Sequence, residues 1–267
     1  MTFALVLAVL LLPLVGTGDA GVQGQPETLS MLGEPLYAPS LSKDARAKAD
    51  EEMRAAREAY DKTPNAVPAI VALARAHLAF GRLGDAIEIL THGLEVDPDD
   101  PSLLVERGQD YIRLRKFEPA QRDLRKAMET VPGAACSLGL VQYLSGAYPH
   151  AQATLAGCAD PGVFGYLSAR RAGATAQRPN IERPSGGSDQ EVRLPGSVTK
   201  AKTRPESSLV PSYLDAAELL LEGNKDEATK RLKDIVTKHR HEWMEPAYIA
   251  AEVDYAKLYK PPHKKKK

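Results

Sequence analysis

A surplus of either charge is missing from this chain of 267 residues: Lys and Arg together number 35, and so do Asp and Glu. The overall balance therefore selects no polyanionic partner. Aromatic residues are scarce at 6 %, which suits stacked helices better than a β-sandwich. A glycine loop able to cradle phosphate is also missing, since Gly186-Gly187 lies in a stretch without strand or helix pattern around it. No Ser/His/Asp arrangement can be built from the spacing. His239 and His241 stand two apart at a helix end without a second pair of ligands, so they read as partners of the last helix carbonyls rather than as a zinc site. Nothing here asks for a catalytic centre, a metal or a cofactor, and a small-molecule ligand is not expected.

What the chain does have is one pattern repeated. Ala74, Gly108 and Gly139 are each followed twelve residues later by an alanine (Ala86, Ala120, Ala151) and sixteen residues later by a leucine (Leu90, Leu124, Leu155). Seven residues after two of them comes a glycine, Gly81 or Gly146, where the other has Arg115. A fourth copy reads Ala216, Gly223, Ala228 and Leu232. A fixed period of this size predicts an all-α solenoid of stacked helical hairpins. In each hairpin a small residue on the first helix admits the alanine of the second, and the leucine fills the space beside them. The glycine between them suits a turn that needs a positive φ.

Residues 101–132 resemble a tetratricopeptide repeat through Leu104, Gly108, Tyr111, Phe117, Ala120, Leu124, Ala127 and Pro132. Residues 67–98 follow with Ile70, Leu73, Leu83, Ala86, Leu90 and Pro98, departing at Ala74, His77 and Gly93. Residues 135–158 keep Leu138, Gly139, Tyr148, Ala151 and Leu155. The stretch Leu32-Gly33-Glu34-Pro35-Leu36-Tyr37, followed by a charged helix, is similar to exported bacterial proteins with these repeats. The resemblance implies a concave groove lined by Val71, Arg75 and Leu78, then Val105, Glu106, Gln109, Ile112 and Arg113, then Leu140 and Tyr143. It also implies a protein or peptide ligand, extended or helical. The lysine and asparagine carboxylate clamp of some relatives falls here on Val71 and Arg75, so that mode is not expected.

The rest of the chain frames this array. Residues 1–20 read as a secretory signal peptide, with an apolar run from Phe3 to Val15 and small residues at Gly18 and Ala20, although no Lys or Arg precedes the run. An uncleaved anchor is the alternative. Residues 21–41 read as an extended or disordered lead, and 42–63 as a capping helix with Ser42 as N-cap and Ala49, Met53, Ala56 and Tyr60 on its apolar face. Residues 67–173 hold three hairpins and a half repeat. Residues 174–211 read as a disordered linker, and 212–260 as a further hairpin and a C-terminal capping helix. Residues 261–267 form a tail with Lys264, Lys265, Lys266 and Lys267. Cys136 and Cys158 lie equidistant from their hairpin turn, as the packed pair Gly139 and Leu155 do, so an oxidising compartment would allow a disulfide; two small buried thiols are the alternative.

The expectation is an exported, non-catalytic adaptor, periplasmic or extracellular, that takes a protein or peptide in its groove. The rival is an envelope-associated protein held by its lysine tail to an anionic polymer or membrane, with the repeats as spacer or self-assembly module. Nucleic acid is the weakest partner, for want of aromatics to stack bases.

Overall fold

The computed structural model describes residues 25–181 and 209–259. The expected signal peptide (1–20), residues 182–208 of the expected linker and the basic tail (261–267) lie outside the described residues. Helix α1 (Lys43–Lys62) begins where the sequence predicts, with the Ser42 hydroxyl accepting from the Ala45 N–H at 3.2 Å. Its Met53, Ala56 and Tyr60 pack against Leu73 and Ala76 of the next helix. Three hairpins follow: α2 (Val67–Ala79) with α3 (Leu83–Val96), α4 (Pro101–Arg113) with α5 (Phe117–Met128), and α6 (Ala134–Leu144) with α7 (Tyr148–Leu155). Each helix packs on its successor, and α2, α4 and α6 also touch in turn.

The repeated small residues sit where close approach demands them. Ala86, Ala120 and Ala151 are fully buried. A Cβ added to Gly108 would lie 2.7 Å from Leu124, and one on Gly139 would collide with Leu155. The turns need a left-handed residue: Gly81, Gly146 and Gly223 have φ of +73°, +81° and +82°. Arg115 takes the equivalent turn at +61° and is the one non-glycine residue with positive φ among the described residues. Cys136 and Cys158 are joined in a disulfide with Cα atoms 5.0 Å apart, tying the start of α6 to the residues just after α7.

Beyond α7 the structure departs from several expectations. Helix α8 (Gly162–Arg171) packs on α9 (Leu209–Leu221), so the half repeat is covered by a helix from across the linker. Helix α9 starts at Leu209, inside the stretch expected to be linker, and the expected linker is also ordered from 174 to 181. There Arg178 pairs with Asp215 (2.7 Å) and Glu218 (3.2 Å), while Ala176 and Ile181 pack on the core. Helix α10 (Lys225–Lys238) completes a hairpin with α9, and a short 3-10 turn (Arg240–Glu242) leads into α11 (Pro246–Leu258). Helix α11 stands where the sequence predicts a C-terminal capping helix. Instead every residue from Ala247 to Tyr255 is buried, because α9, α10 and α6 enclose it. A single core joins Leu36, the second and third hairpins, α8, and the helices after residue 208.

The lead is the other correction. Residues 28–36 form a small antiparallel hairpin, β1 (Thr28–Leu29) against β2 (Pro35–Leu36), with Leu36 buried in the shared core. Its hydrogen bonds go to distant partners. The Glu27 carboxylate accepts from the Leu83 N–H (3.0 Å) at the start of α3, and the Thr28 hydroxyl donates to the Leu114 carbonyl. The Tyr37 carbonyl accepts from the Trp243 indole N–H at 2.7 Å, and that of Pro35 from Arg240 at 2.6 Å. The lead thus ties the turns of the first two hairpins to the C-terminal helices. Its glycine and proline content reads as disorder only because its partners lie more than fifty residues away in sequence.

The disulfide closes a loop of sequence separation 22, so a Cys136→Ser/Cys158→Ser variant is expected to lose about 3 kcal/mol of stability in non-reducing urea melts. Adding a reductant should bring the wild type down to the variant and leave the variant unmoved.

Candidate functional site

The residues expected to line the groove divide into two groups. Val71, Leu78, Val105 and Leu140 are half-buried, each touching the apolar core on one side. Between them runs a row of polar side chains that link the first helices laterally. Arg75 on α2 reaches Glu106 on α4, with its Nη2 2.5 Å from Oε1, and the arginine side chain remains 43 % exposed. Gln109 on α4 donates to the Ser137 hydroxyl on α6 at 3.1 Å. Arg113 pairs with Asp110 on its own helix at 2.7 Å. These residues form a strip across α2, α4 and the start of α6 in which Arg75 is exposed, Glu106, Gln109 and Arg113 are half-buried, and Asp110 and Ser137 are buried.

Ile112 and Tyr143 do not belong to it. Both are sealed, at 4 % and 2 % exposure. They were expected on the groove because their positions in the repeat face the concave side. Here that side is covered at the C-terminal end of α6 by α9 and α11, and Ile112 is enclosed in the same core. The Tyr143 hydroxyl lies 2.7 Å from that of Tyr213 on α9, and burial pushes the Tyr143 phenol far above its ordinary range.

Two arginines hold α11 in place. Arg115, in the turn after α4, donates from Nε (2.9 Å) and Nη2 (2.6 Å) to Oε2 of Glu252, while the other carboxylate oxygen accepts from the Met31 N–H of the lead. Both side chains are buried, at 4 % and 1 % exposure. Burial is the largest influence on Arg115 and pulls its pKa below the usual guanidinium range, against the pull of Glu252. Its guanidinium also stacks over the Trp243 ring. Arg171, ending α8, grips Asp254 with two hydrogen bonds of 2.9 and 2.5 Å, and Tyr213 donates a third to the same carboxylate at 2.8 Å. Burial opposes the Arg171 charge, but Tyr213, Asp254 and Tyr143 together hold its pKa above the usual value. Asp254 stays below the carboxylate range because Arg171 outweighs its burial.

None of these four residues was singled out from the sequence as part of a site. Arg115 alone left a trace there, as the break in the glycine register. A left-handed arginine costs roughly 1–2 kcal/mol relative to glycine, so its presence at φ +61° marks a side chain needed elsewhere.

Of the remaining candidates, His77 is a buried helix residue with Nδ1 3.1 Å from Asp85. His239 lies 3.0 Å from Glu242. Among the described residues no group of three or more His, Cys, Asp and Glu side chains is arranged to hold a metal, and no helix is long and apolar enough to cross a membrane. Lys264, Lys265, Lys266 and Lys267 lie outside the described residues.

The tetratricopeptide repeat family model matches residues 46–104, from early in α1 to the first turn of α4. Over these residues the chain carries the tetratricopeptide repeat pattern. The match includes most of α1. No curated protein matches the chain. Tetratricopeptide repeats are generally non-catalytic protein-interaction modules, which suggests a scaffold role.

Two measurements probe the buried charges. Arg115→Gly relaxes the turn but strands the Glu252 carboxylate, and is expected to cost about 3–5 kcal/mol in urea melts. Adding Glu252→Leu should recover most of that loss, since removing both charges of a buried pair is far cheaper than removing one. A double variant as unstable as the single one would show that the pair is not what α11 depends on. Asp110 is the second case: burial raises its pKa from the ordinary 3.8 to about 6 despite Arg113. The folded chain therefore favours the protonated acid. The stability this contributes is complete below pH 3.8 and is lost as the pH rises through about 6. Asp110→Asn should raise the stability by ~2 kcal/mol at pH 8 and leave it almost unchanged at pH 4.

Proposed function

We propose that this is an exported, non-catalytic adaptor that binds a protein or peptide along the strip of α2, α4 and the start of α6. The observation that carries the reading is the half-open row of Val71, Val105 and Leu140 beside an arginine, Arg75, whose counter-charge Glu106 sits on the neighbouring repeat. Apolar steps between hydrogen-bonding side chains are what an extended or helical peptide needs from a groove. The buried C-terminal ends of α4 and α6 limit the surface to this strip. Export is supported by the leader-like residues 1–20 and by a Cys136–Cys158 disulfide that suits an oxidising compartment.

The test is crosslinking in the native envelope, with the wild type beside an Arg75→Glu/Gln109→Glu variant whose circular dichroism melt is unchanged. Both side chains are polar and partly solvated, so the fold is expected to survive the change. A protein recovered with the wild type and reduced at least tenfold with the variant supports the strip as the binding site. Equal recovery from both would overturn it.

A further inference from the structure

The start of α7 and the ends of α8, α9 and α11 meet around an open cleft of about 250 Å³ that shares no residue with the strip. Its polar side is made by Tyr148, Arg171, Asp254 and Lys257. Tyr148 and Lys257 are 109 residues apart, so no spacing in the sequence announces the cleft. Hydrogen bonding decides what it can take. Asp254 is fully used: Oδ1 accepts from Arg171 and Lys257, and Oδ2 from Arg171 and Tyr213. The Tyr148 oxygen accepts from Arg171 at 2.9 Å and from Lys257 at 3.3 Å. With two cations holding that oxygen as acceptor, its own O–H is left to donate, and it meets no acceptor among the described residues. Lys257, whose side chain is 51 % exposed, has three N–H groups for two acceptors. Only donors are left over. Charge points the same way, since two cations, Arg171 and Lys257, share the single carboxylate of Asp254. Beside these donors the cleft is lined by the half-buried Leu220, Leu221 and Leu258.

We propose that this cleft binds a small monocarboxylate with a short aliphatic chain. The carboxylate accepts from the Tyr148 O–H and the Lys257 ammonium, and the chain lies against the three leucines. One negative charge cancels the excess of one positive charge, which a phosphate dianion overshoots. A cationic ligand finds no free acceptor, because Asp254 is already saturated. At the ~30 Å³ that a water occupies in the liquid, the cleft has room for roughly eight non-hydrogen atoms. That is the size of a branched six-carbon acid. Arg171, held by Asp254, fixes the phenol before any ligand arrives, so little side-chain ordering remains to be done on binding. The site stands apart from the adaptor reading and does not depend on it.

The probe is isocaproate, titrated into the full chain at neutral pH and followed by saturation-transfer NMR. Beside it run its neutral amide, acetate and inorganic phosphate. The proteins are wild type, Tyr148→Phe and Lys257→Gln, each checked by a urea melt. Tyr148→Phe keeps the ring and removes the hydroxyl, while Lys257→Gln removes the excess charge at a half-exposed side chain. The expected result is saturable binding of isocaproate by the wild type. Affinity should fall at least fivefold for the amide, for acetate and for each variant, and it should weaken with added salt. If Tyr148→Phe loses stability, Lys257→Gln decides alone. No saturable binding, or equal affinity for the acid and its amide, overturns the proposal. So does phosphate binding as tightly as isocaproate, which would make the cleft a general anion site. Isocaproate binding that ignores both substitutions overturns it too, because the acid then sits elsewhere.

Discussion

The structure depends on a helix that is buried on every side from Ala247 to Tyr255 and still charged there. Over that stretch helix α11 exposes no polar face to water. Its carboxylates Glu252 and Asp254 must therefore find cations inside the protein, since an uncompensated buried charge costs several kcal/mol. The cations come from the repeats: Arg115 from the turn of the second hairpin and Arg171 from the end of α8. Each pair needs α11 in one rotation and one register, so they fix position more than they add stability. The apolar enclosure of Ile249, Val253 and Tyr248 supplies the driving force, and the arginines decide where it is spent.

That arrangement changes what kind of solenoid this is. An open repeat array has contacts between neighbours only, so its ends fray independently. Here the lead crosses from the first turn to Trp243, and α11 crosses from the second hairpin to α8, which links elements far apart in sequence. Such long-range closure makes one cooperative unit of helices that would otherwise add up step by step. It also divides the concave side. The part near α8 is core, with Tyr143 under Tyr213 and Phe164 against both rings. The part near α2 keeps its side chains in reach of solvent.

The departures from the repeat pattern fall where the closure is made. Arg115 stands in a turn that three sister copies give to glycine. The third hairpin is short and carries the disulfide, just where α8 and α9 begin to cover the array. A position that breaks a local rule is thus satisfying a distant one. This is why Arg115, conspicuous as an exception, reads as noise until Glu252 is seen beside it.

Local periodicity by itself determined the helices, their hairpins, the turn glycines and the small-against-large contacts of Gly108 with Leu124 and Gly139 with Leu155. All of these act within some twenty residues, where spacing along the chain fixes spacing in space. The strip of Val71, Arg75, Val105, Glu106 and Gln109 was legible for the same reason, since each residue's face follows from its place in the repeat. Only the tertiary structure decided that Ile112 and Tyr143 are closed off, that the Gly- and Pro-rich lead is an anchored hairpin, and that α11 lies inside rather than on the end. Those outcomes rest on pairs such as Arg115 with Glu252, 137 residues apart, and Trp243 with Tyr37, 206 apart. No periodic signal in a single sequence carries a contact of that separation, because it comes from which apolar surfaces are left uncovered once the local elements have formed.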